Sequence, residues 1–352
     1  MIKTASALLV LAIAVFAVFV QAQSTPQSAL LALSKRGHTL AIVDPASLKV
    51  LARVPVGNDP HEVIASSDGK TAYVSNYGGG AFNTLAVVDL VNQKALQQVD
   101  LGPLRGPHGL TFAGGKVWFT AEAAKAFGSY DPAKQKVDFI LGTGQNRTHM
   151  IFVSEDQKRI ITTNVSSGTV SIIEKTPPRV PPQAPPNNAQ GTPPRGPMGP
   201  AGGDWEETVV RVGNGSEGFD VSPDGKEIWV ANAQDGTISI INSASKTVVD
   251  TLAANVPGAN RLKFTPDAAK VFVSSLRDGN LTILDASTRK EVKRIKVGRG
   301  AAGILMQPDG TRAYVACSPD NYIDVIDLKS LEVVGRIDAG EEPDGLAWSV
   351  MP

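Results

Sequence analysis

The stretch that decides the fold runs Gly218-Phe219-Asp220-Val221-Ser222-Pro223-Asp224-Gly225-Lys226-Glu227-Ile228-Trp229-Val230-Ala231-Asn232. It continues through Asp235-Gly236-Thr237-Ile238-Ser239-Ile240-Ile241-Asn242 and then Thr247 to Leu252. β-Branched and aromatic residues alternate with smaller or polar ones, the period-two pattern of strands with buried faces. Asp224-Gly225 and Asp235-Gly236 mark the corners, because glycine reaches positive φ without steric cost and aspartate bonds the turn backbone. The unit reads as four antiparallel strands joined by three tight turns.

The same features return along the chain. The first hairpin corner recurs as Ser67-Asp68-Gly69-Lys70, Pro266-Asp267-Ala268 and Pro308-Asp309-Gly310. The third strand recurs as Leu85 to Asp89, Val170 to Glu174, Leu281 to Asp285 and Ile323 to Asp327. Taking the residue just ahead of each first strand as a ruler gives His61, His108, His149, Glu217, Asn260, Ala302 and Asp344, at spacings of 47, 41, 68, 43, 42 and 42. A period of about 42 residues is the length of one four-stranded propeller blade. Seven anchors predict an all-β, seven-bladed β-propeller as a single domain over residues 23–352.

The single long spacing coincides with a Pro- and Gly-rich tract, residues 176–204, that contains ten prolines and reads as an extended, disordered insertion. It leaves from the corner between a third and a fourth strand, on the face away from the ruler residues, so it is expected to be a surface insertion rather than a lid. After Asp344 one strand remains, Gly345 to Val350, and before His61 there are three: Ala29 to Leu33, Thr39 to Asp44 and Leu48 to Val56. One plus three completes a blade, so the termini are expected to close the ring and remove its open edge.

Lys3, the apolar run Ala5 to Val20 and the small residues of Val20-Gln21-Ala22 read as a signal peptide over 1–22, since that run is shorter than a membrane-spanning helix requires. The protein is therefore expected to be exported, periplasmic or extracellular, without stable membrane insertion. The 352 residues carry 34 Lys+Arg against 34 Asp+Glu. Such a balance offers no broad attraction for nucleic acid, and the basic run Arg289, Lys290, Lys293, Arg294, Lys296 and Arg299 reads as a soluble outer strand. One cysteine, Cys317, excludes an internal disulfide and a cysteine-rich metal site, and is expected to be buried as a small apolar residue. No Gly-x-Ser-x-Gly elbow is present, and a dinucleotide fold is excluded because it needs a parallel sheet with a glycine-rich helix start.

Tyr73-Val74-Ser75-Asn76, Trp229-Val230-Ala231-Asn232 and Tyr314-Val315-Ala316-Cys317 each follow an Asp-Gly type turn. In these segments the chain resembles the YVTN (YncE-like) family of β-propeller repeats, found in exported and surface proteins of bacteria and archaea. The resemblance covers nearly all of the mature chain and implies the propeller fold. It implies no catalytic residue, because the repeat is a scaffold for unrelated activities. Blade two departs from it at Trp118-Phe119-Thr120-Ala121-Glu122, and Cys317 stands where the repeat has Asn.

Function is read from the ring of anchors around one mouth of the channel. Three of the four histidines hold one equivalent position in consecutive blades, and three converging imidazoles, His61, His108 and His149, form a candidate site for one divalent transition metal ion such as zinc or copper. The bland alternative is that each histidine bonds a neighbouring blade's backbone and wedges the inner strands apart. Glu122, Arg147, Glu217, Asn260 and Asp344 are the candidate ligand-binding residues. Glu122 and Arg147 depart from the repeat beside a ring histidine, and Glu217 and Asp344 supply carboxylates able to orient an imidazole. Arg105 and the loop Tyr77 to Asn83 are expected on the same face. The repeat-ending Asn76, Asn164 and Asn232 are expected to cap turns, and His38 to be structural.

Two functions follow. One is an exported, monomeric binding protein that takes a metal ion or small molecule at the mouth, with its blade faces open to a protein partner. The other, resembling lactonase and antibiotic-ring-opening lyase propellers, is a metal-assisted hydrolase or lyase.

Overall fold

The computed structural model describes residues 24–177 and 203–352. The expected signal peptide and all but the ends of the Pro-rich tract lie outside the described residues. Seven antiparallel sheets form the ring. Blade one comprises Pro60–Ala65, Thr71–Asn76, Thr84–Asp89 and an outer strand broken into Lys94–Ala95 and Val99–Asp100. Blades two to six begin with inner strands Pro107–Ala113, Thr148–Val153, Ser216–Val221, Ala259–Phe264 and Ala301–Met306. In the seventh, the C-terminal Pro343–Val350 pairs with Ser28–Ser34, followed outward by Thr39–Asp44 and Lys49–Pro55. The one-plus-three closure is thus present, with Leu31 opposite Ala347 and Leu30 opposite Trp348. Among the described residues no helix is long and apolar enough to cross a membrane.

The alternation in the sequence becomes burial between blades. The second and third strands are buried on both faces, as in Arg312–Cys317 and Thr237–Asn242, while outer strands such as Lys136–Gly142 alternate exposed and half-buried residues. Each core cluster therefore spans two blades: Leu31, Leu33, Leu40 and Ile42 of blade seven pack with Val63, Val74 and Val88 of blade one.

The corners use the chemistry their residues suggest. At the first hairpin of blade one, Asp68 accepts from the Ser66 hydroxyl at 2.6 Å and the Lys70 amide at 3.1 Å, and Gly69 takes φ +67°. Asp224 makes the same pair of bonds with Ser222 and Lys226. The repeat asparagines cap the next corner, Asn232 donating to Thr237 and Ser239 and Asn164 to Thr169 and Ser171. Cys317, in the corresponding place, is buried with its sulfur 3.7 Å from Asp324 Oδ2. His38 is exposed, its ring Nδ1 3.2 Å from the Gly57 carbonyl oxygen. The basic outer run is locally neutralised: Arg289 pairs with Glu227 and Asp250, Arg294 with Glu291 and Arg299 with Asp320.

Candidate metal centre at the channel mouth

The anchors are the second residues of the inner strands rather than residues ahead of them. Each of these strands carries a register shift next to its anchor, between Pro60 and Val63 in blade one and between Thr148 and Ile151 in blade three. A bulge re-aims side chains that a regular pleat would send into the blade interfaces. Hydroxyls from the second strands pin the arrangement: Ser75 donates to the His108 carbonyl at 2.9 Å, Thr120 to that of His149 at 2.7 Å and Thr163 to that of Glu217 at 2.6 Å. The histidine carbonyls thus hold neighbouring blades together, which leaves the imidazoles for the channel.

The position after each anchor is glycine in four blades. On Gly109 a Cβ would lie 2.5 Å from the His149 carbonyl oxygen, so adjacent inner strands approach too closely for a side chain there. Glu62 and Arg261 occupy that position in blades one and five and form an ion pair across the channel. Sequence reasoning passed over both, although a charged residue in a glycine position was a visible signal.

Four consecutive blades build the centre. The imidazole centroids of His108 and His149 lie 3.9 Å apart, and those of His61 and His108 5.0 Å. His149 is enclosed by two carboxylates, its Nδ1 2.5 Å from Glu122 Oε1 and its Nε2 2.8 Å from Glu217 Oε2, the latter an ion-pair contact outside hydrogen-bond angles. Arg147 sits above them, its Nε 3.4 Å from Glu122 Oε2 and its Nη1 4.0 Å from Glu217 Oε1. Tyr77 donates its hydroxyl to Glu122 Oε2 at 2.5 Å. His108 is buried with its Nδ1 bonded to nothing among the described residues.

Among the described residues, the donors able to converge on one ion are His108, Glu122 and His149, all buried and with their ligand atoms within 4.8 Å of one another. This group differs in one member from the three-histidine set read from the sequence. His61 lies alongside, its Nδ1 3.5 Å from Asp59 Oδ1, and a carboxylate from a blade-two corner takes the third place. Asp344 pairs instead with Lys35 at 3.0 Å, and Asn260 accepts from Arg261 at 3.4 Å. Asp344 and Asn260 line a cavity of about 330 Å³ at the mouth with Arg147, Glu217 and the three histidines, whereas Arg105 does not.

The field inside the cluster separates the two buried imidazoles. Burial, then the neighbouring charge on His149, holds the His108 pKa well below the ordinary histidine value. Burial also opposes charge on His149, but the Glu217 and Glu122 carboxylates outweigh it and raise its pKa. Burial works against ionised Glu217, yet His149 and two guanidiniums bring its pKa down to about 2, and Glu122 is lowered for related reasons. In the metal-free protein these surroundings favour the neutral form of His108 and the protonated form of His149 between its two carboxylates. A divalent ion would take the place of that proton, because metal and proton compete for imidazole lone pairs.

No protein-family model matches the chain, and no curated protein matches it in sequence. Solved structures match it in fold. A functionally unknown protein from Desulfotomaculum acetoxidans is 15% identical with a TM-score of 0.71, covering 91% of this chain and 98% of that one. A candidate 6-phosphogluconolactonase from Bacteroides fragilis is 16% identical with a TM-score of 0.70, covering 93% and 99%. Hydrazine synthase of Kuenenia stuttgartiensis is 18% identical with a TM-score of 0.65, covering 83% and 90%. At such identities the likeness concerns architecture: the chain is a seven-bladed β-propeller whose fold neighbours include lactonase-like proteins, with a buried His/Glu cluster at one mouth of the channel.

Proposed function

We propose that the protein is an exported, monomeric YVTN-type propeller that binds one divalent transition-metal ion, zinc or copper, through His108, Glu122 and His149. The observation that carries this reading is the convergence of three buried donors, one of which, His108, has an Nδ1 with no hydrogen bond among the described residues. A buried unpaired polar atom costs about 1–3 kcal/mol, and an ion would satisfy it. Two imidazoles with one carboxylate is a donor set used for zinc and other transition metals. Glu217, beside His149 Nε2, is placed to orient that ring once Nδ1 has lost its proton, the usual part of a carboxylate behind a metal-bound histidine. The surroundings also fit a cation: Asp59, Glu62, Glu122, Glu217 and Asp344 face Lys35, Arg147, Arg261 and the His149 proton.

The test is metal analysis of untagged mature protein after dialysis against metal-free buffer, followed by titration with zinc and copper. Near-stoichiometric retention, or tight uptake with proton release, is expected, and His108→Ala should weaken it by at least about 100-fold. Absence of retention together with absence of tight uptake would overturn the reading.

A metal-assisted hydrolase or lyase is the second reading. It is favoured by the cavity beside the cluster, where Arg147 could hold a polar substrate, and by fold neighbours described as candidate 6-phosphogluconolactonases. A bound metal would supply electrophilic polarisation of a carbonyl, while Arg147 would orient the substrate. Metal-dependent turnover of a lactone panel, lost in Arg147→Met with the metal still bound, would establish it.

A further inference from the structure

We propose that Tyr77 sets the metal selectivity of this centre by restricting Glu122 to a single available oxygen. The inference rests on the metal-binding reading and concerns a residue outside the donor set. Tyr77 follows Asn76 at the end of a second strand, where the chain enters the Gly78–Gly80 turn. All three glycines have positive φ, of 58°, 61° and 91°, so the loop folds back tightly and the Gly80 and Phe82 amides both bond the Tyr77 carbonyl. It also abuts blade two: a Cβ on Gly106 would lie 3.1 Å from Gly80 Cα and 3.3 Å from the Ala123 amide nitrogen. The Tyr77 ring is thereby carried across the blade boundary. It lies 4.8 Å from the His61 ring and 5.2 Å from the His108 ring, edge-on to the latter, and its hydroxyl reaches Glu122.

The two oxygens of Glu122 are therefore unequal. Oε2 accepts the Tyr77 hydroxyl and the Arg147 Nε–H, whereas Oε1 faces His149 Nδ1. With Oε2 engaged, the carboxylate offers one oxygen beside two imidazoles. Such a set suits zinc and copper, which take few ligands and favour nitrogen, and serves poorly for calcium, which takes six to eight oxygens and readily chelates both oxygens of a carboxylate. Removing the hydroxyl would leave Oε2 held only by the longer 3.4 Å bond from Arg147 Nε and loosen Glu122, lowering affinity for nitrogen-favouring ions and relaxing discrimination against oxygen-favouring ones.

Tyr77→Phe keeps the ring packing and removes only the hydroxyl. Wild type and variant would be titrated with Zn²⁺, Cu²⁺, Mn²⁺ and Ca²⁺, and the Cu²⁺-loaded forms compared by EPR. The expected result is about 10- to 100-fold weaker zinc binding in the variant, a narrower gap between zinc and manganese, and a changed EPR spectrum. A merely structural role for the hydroxyl would lower thermal stability and leave selectivity and spectrum unchanged. Equal zinc affinity and identical spectra in the two proteins would overturn the inference while leaving the metal reading intact. Failure of the wild type to bind zinc or copper would overturn both.

Discussion

At the residue scale, charge arrangement matters more than histidine count. His149 and Glu217 stabilise one another's ionised forms, with opposite consequences for pH. The depressed Glu217 pKa, about 2, contributes stability that is fully present above the ordinary glutamate value near 4.5 and is lost as pH falls toward 2. The raised His149 pKa contributes stability that is fully present below the ordinary value of 6.5 and is lost as pH rises through the folded-state value. Metal-free protein should therefore melt highest between about pH 4.5 and 6.5 as far as this pair is concerned. Differential scanning calorimetry across pH should show the alkaline limb flattened in His149→Gln. Cys317 gives an independent check. Burial, then the Asp324 carboxylate, pushes its thiol pKa up to about 12, so a thiol reagent at pH 8 should leave the native protein unmodified and label it stoichiometrically in denaturant.

At the element scale, the inner strands are shaped by their neighbours. Thr120 donates to the His149 carbonyl and accepts from the Gly109 amide, both in buried surroundings. Thr120→Val preserves shape while orphaning both groups, and should cost about 1–3 kcal/mol in chemical denaturation, with a parallel loss of metal affinity as the His149 bulge relaxes. Gly109→Ala should be worse, because its Cβ meets a backbone oxygen that cannot move aside. These positions were only partly legible in the sequence. The periodic hairpins declared the strands, but alternation alone points inner-strand residues into the sheet stacks, and the bulges that turn them toward the channel arise from how seven inner strands crowd around one axis.

At the scale of the molecule, pairing of the C-terminal strand with Ser28–Ser34 closes the ring. Removing Pro343–Val350 would uncover Ser28–Ser34, whose Ala29 to Ser34 are fully buried, and reopen a sheet edge at the junction. That truncation should abolish the cooperative unfolding transition. Deleting 178–202 should leave it unchanged, since the Thr176 amide and hydroxyl bond the Asp204 carbonyl at 2.8 and 3.0 Å and tie the flanking chain together at its base. Circular dichroism melts of both variants test the contrast.

The sequence by itself determined the blade repeat, the number of blades, the joint between the termini and the ring position of the histidines. All of these are written in local alternation and turn residues, which act over a few neighbours along the chain. Only the tertiary structure decided which ring members meet. Glu122 reaches His149 from a blade corner 27 residues away, Tyr77 crosses a blade boundary to reach Glu122, and Glu62 finds Arg261 at a separation of 199 residues. Such meetings depend on where a closed ring brings side chains from different blades, a distance that no local pattern encodes.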